Sequence, residues 1–363
     1  MSSVYGTLLQ VSIFGQSHGP AVGVVLDGLP AGLPLDLERL QAFLDRRAPG
    51  RSPWTSSRRE PDQLEVLSGL LAGRTCGAPL AMLLRNADPR PADYVDQRTL
   101  PRPGHADYPA SVKCGGFQDA AGGGHFSGRL TAPLCAAGGV CLQALERVGV
   151  RVGAHLLSVG PVEDPAFDPL APELEALLGR AFPARSEQAA SAMQKAILQA
   201  AEQGDSLGGV IECAATGLAV GLGEPLFGGL ENRIAQAVFA IPGVKGLEFG
   251  SGFAGAHSRG SENNDAYCTD GSQIRTRSNR AGGILGGLAT GMPLVLRAAV
   301  KPTASIALPQ QTVDLATGRS ACLELRGRHD PCIAPRAVPC VEAAVGLALY
   351  DAYLELRARP VTD

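Results

Sequence analysis

From Thr131 to about Val148 the chain has helical spacing and is rich in Ala and Cys, so this helix packs close to a neighbour or lies buried. Further helices follow from caps and spacing. Asp36 caps one that runs to about Arg47 and is ended by Pro49-Gly50. Ala189, Met193, Ala196, Ile197 and Ala200 mark one over Ser186–Gln203, and another is expected over Glu231–Ala240. A last one begins after Pro339, with Val341, Ala344, Val345, Ala348 and Ala352 on one face. Strands are predicted over Tyr5–Phe14, Val22–Leu26, Gly208–Ala215 and Leu294–Val300. Helices and strands mix without a regular βαβ period, which predicts an α+β fold. Five prolines between Pro161 and Arg185 predict a surface loop there. No repeat or long linker divides the chain, so a single domain over residues 1–363 is expected.

Charge and cysteine usage narrow the function. A formal charge of −3 gives no electrostatic case for nucleic acid or an anionic membrane. Nine scattered cysteines, odd in number and without CxxC pairs, argue against a disulfide framework or a zinc site, so no metal is expected, and favour a reducing compartment. Residues 1–15 lack a basic leader pattern and no apolar run approaches the roughly 20 residues of a membrane span, so a cytoplasmic protein is expected.

Histidine is the side chain whose ordinary pKa lies nearest neutrality, and the chain has only six. His18 in Gly15-Gln16-Ser17-His18-Gly19 and His105 in Pro103-Gly104-His105 lie in glycine-bearing turns, where a side chain reaches into a cleft or simply bonds neighbouring backbone. His329 sits in a dense polar patch, Arg328-His329-Asp330, that fits either a surface turn or a site. The run Gly122-Gly123-Gly124-His125-Phe126-Ser127-Gly128-Arg129, just before a helix, suits a phosphate-bearing ligand and a structural glycine turn about equally. It is neither a Walker A motif nor a Rossmann fingerprint. Lys301-Pro302-Thr303-Ala304-Ser305 offers a cation and two hydroxyls at a strand end, and equally reads as a strand-to-loop boundary. Arg46 and Arg47 end a helix, where cations also suit the dipole. Read this way, the chain is an enzyme for a phosphorylated anionic ligand.

Several segments, in order, resemble those of chorismate synthases: Phe14–Pro20 through Asp27–Gly32, Arg58–Gln63, Arg102–Tyr108, Gly221–Pro225, Gly246–Gly250, Gly282–Gly287, Lys301–Ile306 and Arg328–Cys332. The resemblance implies a β-α-β sandwich, antiparallel sheets around central helices, assembled as a homotetramer. It implies anti-1,4-elimination of phosphate from 5-enolpyruvylshikimate 3-phosphate, dependent on reduced FMN. The flavin would come from an external flavin reductase, so that NADPH acts only indirectly. His18 would serve the leaving phosphate as an acid, His105 would lie against the flavin, and Asp330 would work in removing the C6 hydrogen. Substrate contacts would fall to Ser17, Arg47 and Arg129. Flavin contacts would fall to His125, Phe126, Ser127, Pro242, Gly243, Gly286, Lys301, Pro302, Thr303, Ala304, Ser305 and Arg328.

The chain departs from the family pattern in the glycine run. His125 replaces an arginine, Phe126 a serine and Leu130 a glutamate, while Ser127, Arg129 and Thr131 remain. A histidine at 125 that faces the anionic cofactor would make its binding pH-dependent, tightening as the imidazole gains a proton. The rival of another class is a non-catalytic flavin-binding homologue; retention of His18, His105, Arg129 and Asp330 together argues against it. A flavin reductase is disfavoured by the lack of a nicotinamide fingerprint.

Overall fold

A computed structural model describes residues 3–56, 58, 60–88, 98–271, 273–325 and 329–359. The first sheet contains β1 (Val4–Tyr5), β2 (Gln10–Gly15), β3 (Ala21–Asp27), β4 (Leu64–Ser68) and β5 (Leu80–Arg85), in the order β1-β2-β3-β5-β4. The second contains β6 (Arg151–Val159), β7 (Val162–Glu163), β8 (Gly209–Thr216), β9 (Val244–Phe249) and β10 (Leu294–Val300), in the order β9-β10-β8-β6-β7. Neighbouring strands in both sheets are antiparallel. Val22, Val24 and Leu26 of β3 and Leu80, Met82 and Leu84 of β5 alternate along their strands and are fully buried, which gives the first sheet one apolar face.

Helices fill the space between the sheets. α1 (Leu37–Arg47) is capped by Asp36, whose carboxylate accepts the Arg39 N–H at 2.9 Å. α2 (Thr131–Glu146) lies on β3 and β5, while α5 (Ala334–Ala358) lies on β6 and β8 and against α2. α3 (Glu187–Glu202) flanks β6 and β7, and α4 (Leu230–Phe239) packs on α5. The layers are therefore sheet, helices, sheet, with one apolar core running through all of them. Among the described residues only α5 is long and apolar enough to cross a membrane, and it is buried inside this fold.

α2 and α5 touch at Cys135 and Cys340, at Gly138 and Ala343, and at Leu142 and Gly346. The contacts advance together along both helices, so the two run parallel. A Cβ on Gly138 would stand 2.4 Å from the Cα of Ala343 and 2.6 Å from its carbonyl oxygen, so only glycine permits this approach. The Ala-, Gly- and Cys-rich composition of α2 thus follows from its burial between a sheet and a second helix.

Three expectations need correction. The strand over Tyr5–Phe14 is two strands, β1 and β2, folded on each other with Tyr5 opposite Val11. Between them the N–H groups of Thr7, Leu8 and Leu9 converge on the Asp351 carboxylate of α5 at 2.9, 2.9 and 2.8 Å, which pins the bend. The last helix begins at Ala334, not after Pro339; Pro335 occupies its first turn, where a missing N–H costs nothing, and Pro339 is carried inside it. The proline-rich stretch 161–185 includes β7 and a short 3₁₀ turn, Leu174–Leu177, and its Phe167 packs on Ala214 and Val295 of the second sheet.

We expect Gly138→Leu to destabilise the chain by about 1–3 kcal/mol or more, since the added side chain would run into the Cβ, Cα and carbonyl oxygen of Ala343, none of which can swing aside. The denaturant midpoint measures this, and an unchanged midpoint would show that α2 and α5 separate easily.

Candidate active site

β2 ends at Gly15 and β3 begins at Ala21, and the turn between them carries Ser17 and His18. Gly15 holds φ +101°, and a Cβ there would stand 2.4 Å from the Ala21 carbonyl oxygen. The Ser17 N–H then reaches the Gly124 carbonyl at 3.1 Å, tying this turn to the glycine run. Gly122, Gly123 and Gly124 all take positive φ. A Cβ on Gly122 would lie 2.5 Å from His18 Nε2, and one on Gly123 would lie 2.8 Å from His105 Cε1. The run is the seat on which both imidazoles rest, which explains its composition without reference to any ligand.

His105 is held from behind. Its Nδ1 lies 2.6 Å from Asp107 Oδ1, so the proton sits on that nitrogen and donates to the carboxylate. Arg102 grips the same carboxylate through Nε at 2.7 Å and Nη2 at 2.8 Å, and its Nη1 donates to Ser305 Oγ at 3.1 Å. Burial disfavours the Asp107 anion, but the hydrogen bonds from Arg102 and His105 outweigh it and hold its pKa well below the usual carboxylate value.

Asp62 is completely buried and sits between Arg47 and Arg129. Arg47 Nη1 donates to Oδ2 at 2.6 Å, and Arg129 Nη1 bonds Oδ1. Arg129 also donates through Nε to Asn86 Oδ1 at 2.8 Å, and Arg47 through Nε to Thr131 Oγ1 at 3.1 Å. Burial opposes the Asp62 charge, yet the two guanidinium groups lower its pKa. Burial and the Arg47 charge push the Arg129 pKa down, with Asp62 opposing them. The helix dipole accounts for neither of the two arginines that end α1: Arg47 is buried on Asp62, and Arg46 pairs in bidentate fashion with Glu342 of α5 at 2.6 and 2.9 Å.

Asp330 continues the network. Its Oδ2 pairs with Arg336, its Oδ1 accepts the Ser56 N–H at 2.7 Å, and Arg336 Nε donates to the Arg47 carbonyl at 2.9 Å. Arg58 links the parts, donating to Ser17 Oγ at 3.2 Å, to the Ser17 carbonyl at 3.0 Å and to Glu60 at 2.7 Å.

The imidazoles of His18 and His105, Arg47, Arg58, Arg102, Arg129, Arg336 and Asp330 face one cavity of about 600 Å³. Ser17, His18, Arg47, His105, His125, Phe126, Ser127, Arg129, Pro242, Gly243, Lys301, Thr303, Ala304, Ser305 and Asp330 all line it. His329 does too, so its polar patch belongs to the cavity wall; burial and the Arg102 charge lower its pKa, with Asp330 opposing. Pro302 shares the 301–305 segment without lining the cavity, and Gly286 turns the hairpin between Ile284–Leu285 and Leu288–Ala289, away from it. Arg328 lies outside the described residues. Arg58, Arg102, Lys245 and Arg336 line the cavity without having been singled out from the sequence, and the buried Asp62 behind it was likewise missed. Arg58, Asp62 and Arg102 fall inside segments already noted, and Arg336 directly follows Pro335 in the first turn of α5; only three-dimensional pairing reveals what they do.

His125 is used by the protein itself. Nδ1 lies 2.9 Å from the Gly15 carbonyl, and Nε2 lies 2.7 Å from Ser3 Oγ. A neutral ring that donates from Nδ1 and accepts at Nε2 satisfies both partners, so the ring fastens the glycine run to β2 rather than presenting a free charge.

A cavity of this size, walled by seven cationic side chains against Glu60 and Asp330 and furnished with seated imidazoles, defines an enzyme for a strongly anionic small molecule. A family model described as chorismate synthase matches residues 9–354. A chorismate synthase of Methanocella arvoryzae is 47% identical over 351 residues, 96% of this chain and 93% of its own length. One of Dehalococcoides mccartyi is 46% identical over 359 residues, 99% of this chain and 98% of its own. A solved structure described as a crystal structure of chorismate synthase superposes with TM-score 0.76 at 28% identity, covering 96% of this chain and 93% of that one. The chain belongs to the chorismate synthase family, and is thereby a carbon–oxygen lyase acting on a phosphate ester in aromatic amino acid biosynthesis.

Asp62→Asn leaves two buried guanidinium groups facing each other, and we expect a loss of about 3–5 kcal/mol. Because the folded pKa of Asp62 is depressed from 3.8, its contribution is full above about pH 4 and is lost as pH falls further. Denaturation midpoints of both proteins from pH 7 to pH 3 check this: the gap between them should shrink on acidification, and a constant gap would reject it.

Proposed function

We propose that the chain converts 5-enolpyruvylshikimate 3-phosphate to chorismate by anti-1,4-elimination of the 3-phosphate and a C6 hydrogen, with reduced FMN bound in the same cavity. The observation that carries this reading is the division of positive charge. Arg47, Arg129 and Arg336 form one group around Asp62 and Asp330, and Arg102, Lys245 and Lys301 form another. A substrate with two carboxylates and a phosphate needs the first group, and a flavin phosphate or an anionic flavin ring needs the second. Burial, then the charges of Lys245 and Arg102, lower the Lys301 pKa, as expected for cations gathered to receive an anion.

The second group fits a flavin in its donors as well. Thr303 Oγ1 is buried without a hydrogen-bond partner among the described residues, and beside it stand the backbone of Gly243 and Ala304 and the cations of Lys301 and Arg102. Reduced flavin, when bound, supplies electron density to the substrate as the phosphate departs. The protein supplies the rest. Arg47 and Arg129, fixed by Asp62, hold substrate anions without having to be ordered first. His18, seated on Gly122, donates a proton to the leaving phosphate. Asp330, positioned by Arg336 and Ser56, takes up the C6 hydrogen as a proton. His105, backed by Asp107, holds a proton against the flavin.

Reduced FMN would be delivered by a separate reductase that draws on NADPH, and the chain would act as a cytoplasmic homotetramer. Leu226, Phe227 and Phe253, all largely exposed, support burial against further copies. The continuous core through both sheets supports the reading of one domain. The names of the relatives favour the enzyme over a non-catalytic flavin-binding homologue.

Anaerobic phosphate release from 5-enolpyruvylshikimate 3-phosphate with dithionite-reduced FMN tests the proposal. We expect turnover that requires the reduced flavin, and His18→Ala to lower it by about 10²–10⁴-fold with little change in flavin affinity. Absence of phosphate release from the folded protein would overturn the activity; wild-type turnover in the variant would overturn the role of His18. For His125 we expect the same dependence of reduced-FMN affinity on pH, from 5.5 to 8.5, in the wild type and in His125→Gln. Divergent profiles would show that the ring carries charge toward the cofactor.

A further inference from the structure

Cys135 of α2 and Cys340 of α5 meet in the core with their sulfur atoms 3.7 Å apart. They stand three residues before the Gly138–Ala343 contact, where a Cβ on Gly138 would lie 2.4 Å from the Ala343 Cα, so the two helices pack tightly beside them. The two thiols differ in surroundings. Both are buried, but Cys340 also forms part of the wall of the active-site cavity, and its thiol donates to the Arg336 carbonyl at 3.3 Å. The hydrogen bond with Cys135 and the charges of Arg47 and Arg336 lower the Cys340 pKa against its burial, whereas burial pushes the Cys135 thiol up.

We propose that Cys135 and Cys340 are a redox-active dithiol, opening on the catalytic cavity, that hydrogen peroxide converts into a disulfide. Cys340 is the attacking sulfur and Cys135 the resolving one. In the first step the Cys340 thiolate attacks a peroxide oxygen; the S–O bond forms as the O–O bond breaks, and the departing hydroxide takes up a proton to become water. In the second step the Cys135 sulfur attacks Cys340; the S–S bond forms as the S–O bond breaks, and a second water leaves with the Cys135 proton. Two thiols are oxidised and one peroxide is reduced to two waters. The sulfurs close from 3.7 Å to about 2.05 Å, within reach of side-chain rotation at a helix contact this tight. The bridge then joins the two central helices directly beside Arg47 and Arg336, and Cys340 gives up its contact with the Arg336 carbonyl.

The test treats the full-length folded chain with hydrogen peroxide, without flavin or substrate, so that its outcome is independent of the proposed reaction. After quenching, the protein is unfolded, alkylated and digested for mass mapping. We expect the intact mass to fall by about 2 Da, alkylation to be lost at Cys135 and Cys340, a cross-linked peptide joining them, and full reversal by dithiothreitol. In Cys135→Ala the first step should stop at a Cys340 sulfenic acid that dimedone traps. The proposal is overturned if Cys135 and Cys340 remain alkylatable while the exposed Cys76 and Cys322 oxidise, or if Cys340 oxidises in the unaltered chain without forming the cross-link.

Discussion

The buried carboxylate of Asp62 is the interaction on which the cavity depends. Two guanidinium groups cannot share a dry wall unless an anion stands between them, and here that anion comes from a residue at positive φ, held where it meets Arg47 of α1 and Arg129 at the start of α2. Arg47 in turn offers its carbonyl to Arg336, which fixes Asp330. One compensated charge thereby sets the position of the α1 end, the α2 start and the first turn of α5. The positive potential that recruits an anionic ligand is a by-product of this arrangement: both arginines are neutralised only in part, because the carboxylate is shared.

The glycine run contributes by what it lacks. With no side chains at 122 and 123, the imidazoles of His18 and His105 rest on backbone, and neither can swing away from the cavity without leaving that seat. A site made of loops, as this one is, obtains rigidity from contacts of this kind rather than from regular secondary structure. His125 adds to it by bonding the run to β2 at one ring nitrogen and to Ser3 at the other.

Much of this was legible before the structure, and the division follows the range of the forces involved. The cap at Asp36, the helical spacing over 186–203, the apolar run of β3 and the small residues of α2 are local signals, and the elements they indicate are present. The break at Gly6–Leu9 was not legible, because the carboxylate that accepts its three N–H groups lies on α5, far along the chain. Arg47 looked like a helix-dipole residue for the same reason: its partner Asp62 is unremarkable in sequence. The family resemblance placed His18, His105, Arg129 and Asp330 together, and all four line one cavity. It also assigned Gly286 to the flavin, whereas that residue turns a hairpin that does not line the cavity, and it gave no sign that His125 is occupied by Gly15 and Ser3, since hydrogen bonds across the fold leave no local pattern.

The bend between β1 and β2 bears on how the chain is made. Residues 7–9 leave the ribosome 342–344 residues before the Asp351 carboxylate that satisfies them, and before the helix that fills the space between the sheets. Until α5 is released, the second sheet lacks the helix that covers β6 and β8, and the bend that opens the first sheet lacks its acceptor. Closure of the core therefore waits for α5 to emerge, and until then the nascent chain carries exposed strands in need of shielding from its own kind.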